Sequence, residues 1–445
     1  MRLPWRSVAT VFLWLFVIFG SLSDAHAIPA FARKYGLRCS ACHVAWPVLN
    51  DFGWRFKDNG YQLMNERDAP IWQNPAYWPV TFRITPNWHR ESNDKQPIDT
   101  AAGSNTGVAT ITQHGFDLSG LDILTGGTLE KNISFLLTPS ADSTATFHFE
   151  SAWARFDNLL HSTWLNIKMG KFELDNFLSE KRILGLSNNG GFYQNYHFAP
   201  PGDNNMWAQI GDNQLGLEWQ GHSLNDHTRA SAALFSSSDG NVNLVNANTY
   251  SGYFTVSRAF DAGGLGLQRV GAYAFVGEAP TYSLTSGGVP IPGSSLGNKS
   301  FYREGFFTDI YLRKLDVAVY YQHGGDSAYF GTSTAANGIL PVGARAPAWD
   351  GYIVEPHFVY NPHLVVFERN EFIRMSQHAV PTNASDLGDI DAYTVGFRYY
   401  PIMNSRAGFA FHNEYAWVRQ RGTAIPPATG DLTGSSLFFG VDFAF

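Results

Sequence analysis

Apolar residues alternate with small or polar ones through segment after segment of this chain, up to its last residue. Phe439, Val441, Phe443 and Phe445 stand against Gly440, Asp442 and Ala444. Leu315, Val317, Val319 and Tyr321 interleave with Asp316, Ala318, Tyr320 and Gln322, and Tyr393, Val395, Phe397 and Tyr399 interleave with Thr394, Gly396 and Arg398. A period of two belongs to a strand with two unlike faces. A soluble sandwich and a transmembrane barrel share that period, and three signs favour the barrel. The strands run about 10 to 14 residues and are separated alternately by short and long connections. Tyr and Trp gather near strand ends, at Tyr399-Tyr400, Tyr320-Tyr321, Tyr415 and Trp417, where interfacial girdles are expected. The last strand closes on Phe445, as in bacterial outer-membrane barrels.

Composition agrees. The chain holds 34 Phe, 20 Tyr, 13 Trp and 43 Gly with only 16% charged residues, which suits many short strands. Strand patterns lie near 80–89, 108–118, 120–129, 132–139, 145–157 and 162–173, then 209–221, 227–237, 247–260 and 264–277. Further patterns cover 301–313, 315–325, 348–360, 362–375, 388–400, 405–420 and 432–445. Single-chain bacterial barrels have even strand numbers, so the second and third segments merge and the expectation is an all-β, antiparallel transmembrane barrel of about 16 strands. His148, Glu150, Arg398, His412 and Glu414 fall on the polar face and are expected in a wet lumen. Gly287–Gly297 and Ile425–Gly430 read as exposed loops.

The first 27 residues carry a different signal. Arg2 and Arg6 precede an apolar run from Val8 to Phe19, and Ala25-His26-Ala27 gives a small-x-small cleavage pattern. The run is too short to span a bilayer comfortably, so residues 1–27 are expected to be a cleaved export signal. Its removal would leave 29 basic and 37 acidic residues, a formal charge of −8. That mild acidity argues against nucleic acid as a partner.

Cys39-Ser40-Ala41-Cys42-His43 holds the only two cysteines of the 445 residues. Two thiols and an adjacent imidazole at this spacing form the attachment site of a c-type haem, with Cys39 and Cys42 as thioethers and His43 as the proximal iron ligand. A redox disulfide would need a strand–helix setting that this region lacks. A zinc site would need two further ligands that no nearby motif supplies. Downstream, Pro47 is placed to open a helix, Leu49, Phe52 and Phe56 share a face, and Gly60 is placed to close it. That stripe would pack on the porphyrin, with Trp46 and Trp54 near its edge. About forty residues do not sustain a fold alone, so the short helical haem segment is expected inside the barrel or at its periplasmic mouth. The domain reading is therefore a signal at 1–27, a monohaem cytochrome c segment at 28–78 and a porin-like barrel at 79–445.

Phe31-Ala32-Arg33-Lys34-Tyr35-Gly36-Leu37, the Cys39–His43 motif, Pro47-x-Leu49-Asn50-x-Phe52-Gly53 and Phe56-Lys57-x-x-Gly60-Tyr61 resemble the fused monohaem cytochrome–porins of bacterial outer membranes, whose best-known members are iron oxidases. The resemblance covers Ala30 to Tyr61 specifically and the rest only in architecture. It implies one covalent haem c held by Cys39, Cys42 and His43. It also implies electron transfer from an extracellular donor such as Fe(II) to a periplasmic c-type cytochrome, an iron:cytochrome oxidoreductase activity. A substrate-selective porin with a structural or sensory haem, and a haem peroxidase, are the alternatives; the second would need a distal base that nothing nearby supplies. The distal iron ligand stays open: Met64 is the nearest methionine, and a lumen-facing histidine such as His89 is another candidate. Arg33, Lys34 and Arg38 would meet the propionates, steer an acidic partner, or serve as solvated surface charge.

Overall fold

The computed structural model describes residues 30–45, 48–63, 80–101, 103, 107–141, 146–175, 213–236, 250–280, 298–330, 340, 342–379, 388–403, 407–423 and 430–445. The export signal, Trp46, Pro47, Met64 and the segment 287–297 lie outside them. Ahead of the barrel come α1 (Ala30–Tyr35), α2 (Cys39–Cys42), the two-stranded ribbon β1 (His43–Ala45) and β2 (Val48–Leu49), and α3 (Asp51–Asp58).

Sixteen strands then close on themselves. They are β3 (Val80–Ile98), β4 (Gly107–Glu130), β5 (Ile133–Ala141), β6 (Phe147–Phe156), β7 (Asn166–Glu173), β8 (Asn213–His222), β9 (Thr228–Ser236) and β10 (Tyr250–Asp261). They continue through β11 (Leu267–Pro280), β12 (Asn298–Leu312), β13 (Leu315–Gly325), β14 (Ala348–Asn361), β15 (Leu364–Gln377), β16 (Asp389–Met403), β17 (Gly408–Thr423) and β18 (Gly430–Ala444). The two patterns at 108–118 and 120–129 are indeed one strand, β4, which pairs with β3 from Gly107 to Thr125. Each strand is antiparallel to its neighbours, and β18 pairs with β3 to complete the ring, with Phe438 opposite His89. Phe445 and Phe82 exchange two backbone hydrogen bonds of 2.9 Å beyond the end of β18. No unpaired edge is left, which is what a strand structure in lipid requires.

Connections are mostly short at one end of the barrel and longer at the other. Lys131-Asn132 joins β4 to β5 and Arg313-Lys314 joins β12 to β13, whereas 39 residues separate β7 from β8. Asn132 and Arg313 adopt φ of +56° and +65°, the backbone sign that tight hairpin turns demand. Short turns mark the periplasmic end of such a barrel.

The alternation resolves as expected. Tyr393, Val395, Phe397 and Tyr399 point outward with 39–50% exposure, while Thr394, Arg398 and Tyr400 are buried inside. Phe439 and Phe445 are also exposed outward. An apolar, aromatic outer band on a closed barrel is a lipid-facing surface.

The interior differs from a wet lumen. Tyr253, Tyr273 and Tyr320 stack in a row at centroid spacings of 6.2 and 5.2 Å, and Phe235, Phe275 and Phe301 follow at 5.6 and 5.5 Å. These belong to one apolar cluster that runs from Phe56 and Tyr61 to Phe330 and Trp349, the latter two at the long-loop end. Arg398, His412 and Glu414 do face inward, but they are buried, whereas His148 and Glu150 are exposed. Tyr320 and Tyr400 are interior rather than girdle residues, because adjacent strand residues point to opposite faces.

Candidate functional site

Segment 30–63 is built on one asparagine. Asn50 caps α3 by accepting from the Gly53 N–H at 2.9 Å, and its amide donates to the Ala41 and Ser40 carbonyls at 3.0 and 3.3 Å. Its own N–H donates to Cys42 O at 2.9 Å. The helix start is thus fastened to the Cys39–Cys42 turn, and Asn50, not Pro47, opens the helix. The buried face differs accordingly: Gly53, Trp54 and Phe56 are covered, and Phe52 is 39% exposed. A Cβ on Gly53 would stand 2.1 Å from Cys42 O, so only glycine lets the helix lie this close to the thiol turn. Gly60, at φ +76°, ends the helix as the sequence indicates. Phe31 packs on Phe56 and Tyr61 at 5.4 and 4.7 Å, and Tyr61 stacks on Trp153 of β6 at 6.0 Å.

Two buried arginines hold this segment at the short-turn end. Arg155 on β6 donates to the Lys57 and Asp58 carbonyls at 3.1 Å each, closing the negative end of the helix. Arg229 on β9 pairs with Asp58 at 2.8 Å and with Asp175 at 3.3 Å, and lies 5.0 Å over the Trp54 ring. Burial alone would push the Asp58 carboxyl up, but Arg229 and Lys57 more than reverse this and hold it below its ordinary value. Burial pulls the Lys57 ammonium down to about 8. On the opposite side, Ala32 and Val48 pack against β16 and β17 through Met403, Tyr400 and Ala410.

Between segment and wall lies a cleft with about 1440 Å³ of empty space, counting the part open to solvent. Cys39, Cys42 and His43 all line it, together with Phe31, Leu37 and Phe56 from the segment and Leu124, Leu136 and Phe409 from the wall. The three motif residues are therefore brought together on one apolar surface. The two thiols are not joined to each other, and burial, helped by Cys39, pushes the Cys42 thiol up to about 11. Arg38, Lys57 and Arg83 lie on the lining as cations, with Arg83 paired at 3.0 Å to Asp442, which lines it too. Lys34 lies 4.9 Å over the Tyr35 ring, and the Arg33 side chain is outside the described residues.

This donor set fits a c-type haem: two thiols, an imidazole, apolar walls and a cation for a propionate. His89 does not belong to it, since its ring accompanies Asn87 at 3.0 Å on β3 and is not on the cleft lining. Arg155, Arg229 and Met403 have no place in the sequence reading, and Asn50 enters it only as part of the resemblance. Only Asn50 had a visible signal, an Asn ahead of an apolar helical run. Among the described residues no group of three or more His, Cys, Asp or Glu is placed to hold a metal ion.

No protein-family pattern matches the chain. No curated protein sequence matches it either. Its fold is nonetheless similar to solved barrels. The anion-selective porin from Comamonas acidovorans superposes with a TM-score of 0.51 at 12% identity, over 82% of this chain and 99% of that one. OmpT (in-vitro folded), an outer membrane protein of Vibrio cholerae, gives 0.50 at 10% identity, over 82% and 97%. The chain is a porin-like β-barrel with 16 strands, and a thiol–thiol–imidazole cleft sits at its short-turn end.

Proposed function

We propose that this protein is an electron conduit of a bacterial outer membrane, taking electrons from an extracellular donor, with Fe(II) the leading choice, and delivering them to a periplasmic c-type cytochrome. The observation that carries the reading is the placing of Cys39, Cys42 and His43 on one apolar cleft at the short-turn end, where a periplasmic partner would approach. A haem bound there would supply a one-electron couple. The chain's own contribution is to hold both thiols and the imidazole on one apolar surface and to offer Arg38 to a propionate. Packing of the lumen supports the same reading. A barrel of this size ordinarily encloses an aqueous channel, yet Tyr253, Phe275, Tyr320, Glu355 and Glu371 are each at most 1% exposed.

A selective porin is the second reading. The likeness to porins favours it, and so do inward arginines such as Arg303, Arg369 and Arg398. Stopped-flow mixing of the oxidised, haem-loaded protein with Fe(II), set beside liposome swelling, separates the two. Haem bands that reduce with Fe(II), in protein that admits no sugars, uphold the conduit. Bands that ignore Fe(II), in protein that lets sugars through, establish the porin instead.

A further inference from the structure

We propose that Met403, a barrel residue, supplies the second axial ligand to the iron held by His43. The inference rests on the reading that Cys39-Ser40-Ala41-Cys42-His43 carries a haem. Its own basis is a register shift in β16. Tyr399 pairs with Phe411 and Ile402 pairs with Phe409, so β16 spends three steps where β17 spends two. One extra residue, at Tyr400-Pro401, makes a β-bulge, and a bulge reverses which face the following side chains occupy. From Tyr393 to Tyr399 the odd-numbered residues of β16 point to lipid. Past the bulge, Met403 stands opposite Gly408. Gly408 belongs to the even-numbered series of β17 whose members Ala410, His412, Glu414 and Ala416 are buried inside. Met403 is thereby turned inward, across from a residue with no side chain to fill the space, and Pro401 is a residue that ladders accept mainly at edges and bulges.

The place it reaches is the cleft. Met403 shares its lining with Cys39, Cys42 and His43, and packs against Cys39 and Ala32. A thioether opposite an imidazole is a ligand pair suited to electron transfer. The other described methionines are elsewhere: Met169 is 41% exposed on β7, and Met375 packs on the lumen cluster. Lys57 also lines the cleft, but its ammonium lies 4.7 Å over the Trp54 ring. Ligation from the wall would join the segment to the barrel through the metal, so that docking and iron coordination become one event.

The test uses the full-length, haem-loaded protein in detergent, as wild type, Met403→Leu, Met403→His and Met64→Leu. Haem staining of denatured protein reports covalent attachment independently of the distal ligand. The expected result is equal staining in all four. A sulfur-to-iron charge-transfer band should appear in wild type and Met64→Leu only. Met403→Leu should gain carbon monoxide binding, and Met403→His should restore a six-coordinate spectrum without the sulfur band. A band that survives Met403→Leu, or one lost in Met64→Leu, overturns the assignment, as does a stained wild type with no sulfur band. Wild type that takes no haem stain refutes the haem reading itself, a different outcome.

Discussion

Replacing Arg229 with methionine should release the N-terminal segment from the wall while leaving the wall intact. Arg229 is 3% exposed and faces three carboxylates, Asp58 at 2.8 Å, Asp175 at 3.3 Å and Asp226 at 3.8 Å. Methionine keeps much of the stem that covers Trp54 but removes the charge. The three carboxylates then lose the cation they share in a site closed to water. Removing one partner of a buried pair costs about 3–5 kcal/mol, because the remaining charge stays uncompensated. At about 1.4 kcal/mol per factor of ten, the undocked population should rise roughly 10²- to 4 × 10³-fold. Amide hydrogen exchange reads this directly. The Asn59 and Tyr61 amides donate to Arg55 O and Phe56 O, so they are protected only while the end of α3 is formed. Their protection should fall by that factor in Arg229→Met. Amides of β13, far around the ring, should not change, since barrel hydrogen bonds close on themselves. Unaltered exchange at Asn59 and Tyr61, or a loss shared equally by β13, would refute the reasoning.

Other outcomes are expected. Gly53→Ala forces a methyl to within 2.1 Å of Cys42 O and should cost about 1–3 kcal/mol or more, read as faster exchange in α3 and lower haem content at unchanged barrel yield. Val395→Arg places a charge on the lipid face of β16 and should destabilise the barrel by about 2–4 kcal/mol if that position is near the bilayer centre, measured by reversible urea unfolding in liposomes. Tyr273→Ala with Tyr320→Ala should open the packed interior and raise single-channel conductance above the wild-type level; equal conductance would mean the stack does not limit flow. Burial, reinforced by Asp58, pushes the Asp226 carboxyl in the β8–β9 turn up from 3.8 to about 7. A carboxyl raised in the fold contributes most below its unfolded value and loses that contribution as pH rises towards 7. Segment protection should therefore weaken between about pH 4 and pH 7, and Asp226→Asn should flatten the profile.

What the sequence disclosed follows from which forces act locally. Strand periodicity is a local property, so Leu315–Gln322 and Tyr393–Tyr399 could be read by eye, and parity of strand number joined 108–118 to 120–129. The contents of the lumen were not legible. Tyr320 and Tyr321 look alike in sequence, and only the register of β13 against its neighbours sends one inward to Tyr273. The thiols and imidazole were legible because a covalent motif needs no tertiary context. Their surroundings were not: Asp58 and Arg229 stand 171 positions apart, and Met403 faces the cleft only because one bulge shifts a strand by one residue. The helix is legible from its pattern, but Pro47 and Asn50 both offer a start, and the Gly53 N–H bond to the Asn50 side chain decides for Asn50.

Closure of the ring by β18 against β3 fixes a chronology. The strand that seals the wall follows every other strand of the ring in chain order, and its partner β3 is the first strand of the ring after the thiol segment. Until the seal forms there is no inside, and afterwards Cys39 is 7% exposed behind a wall of hydrogen-bonded strands. An enzyme that grips two thiols and a porphyrin at once needs an extended, accessible peptide. For a haem attached at Cys39 and Cys42, loading must therefore come while the chain is still unfolded in the periplasm, before any barrel machinery completes the ring. On that reading assembly would have a direction, cofactor first and enclosure second.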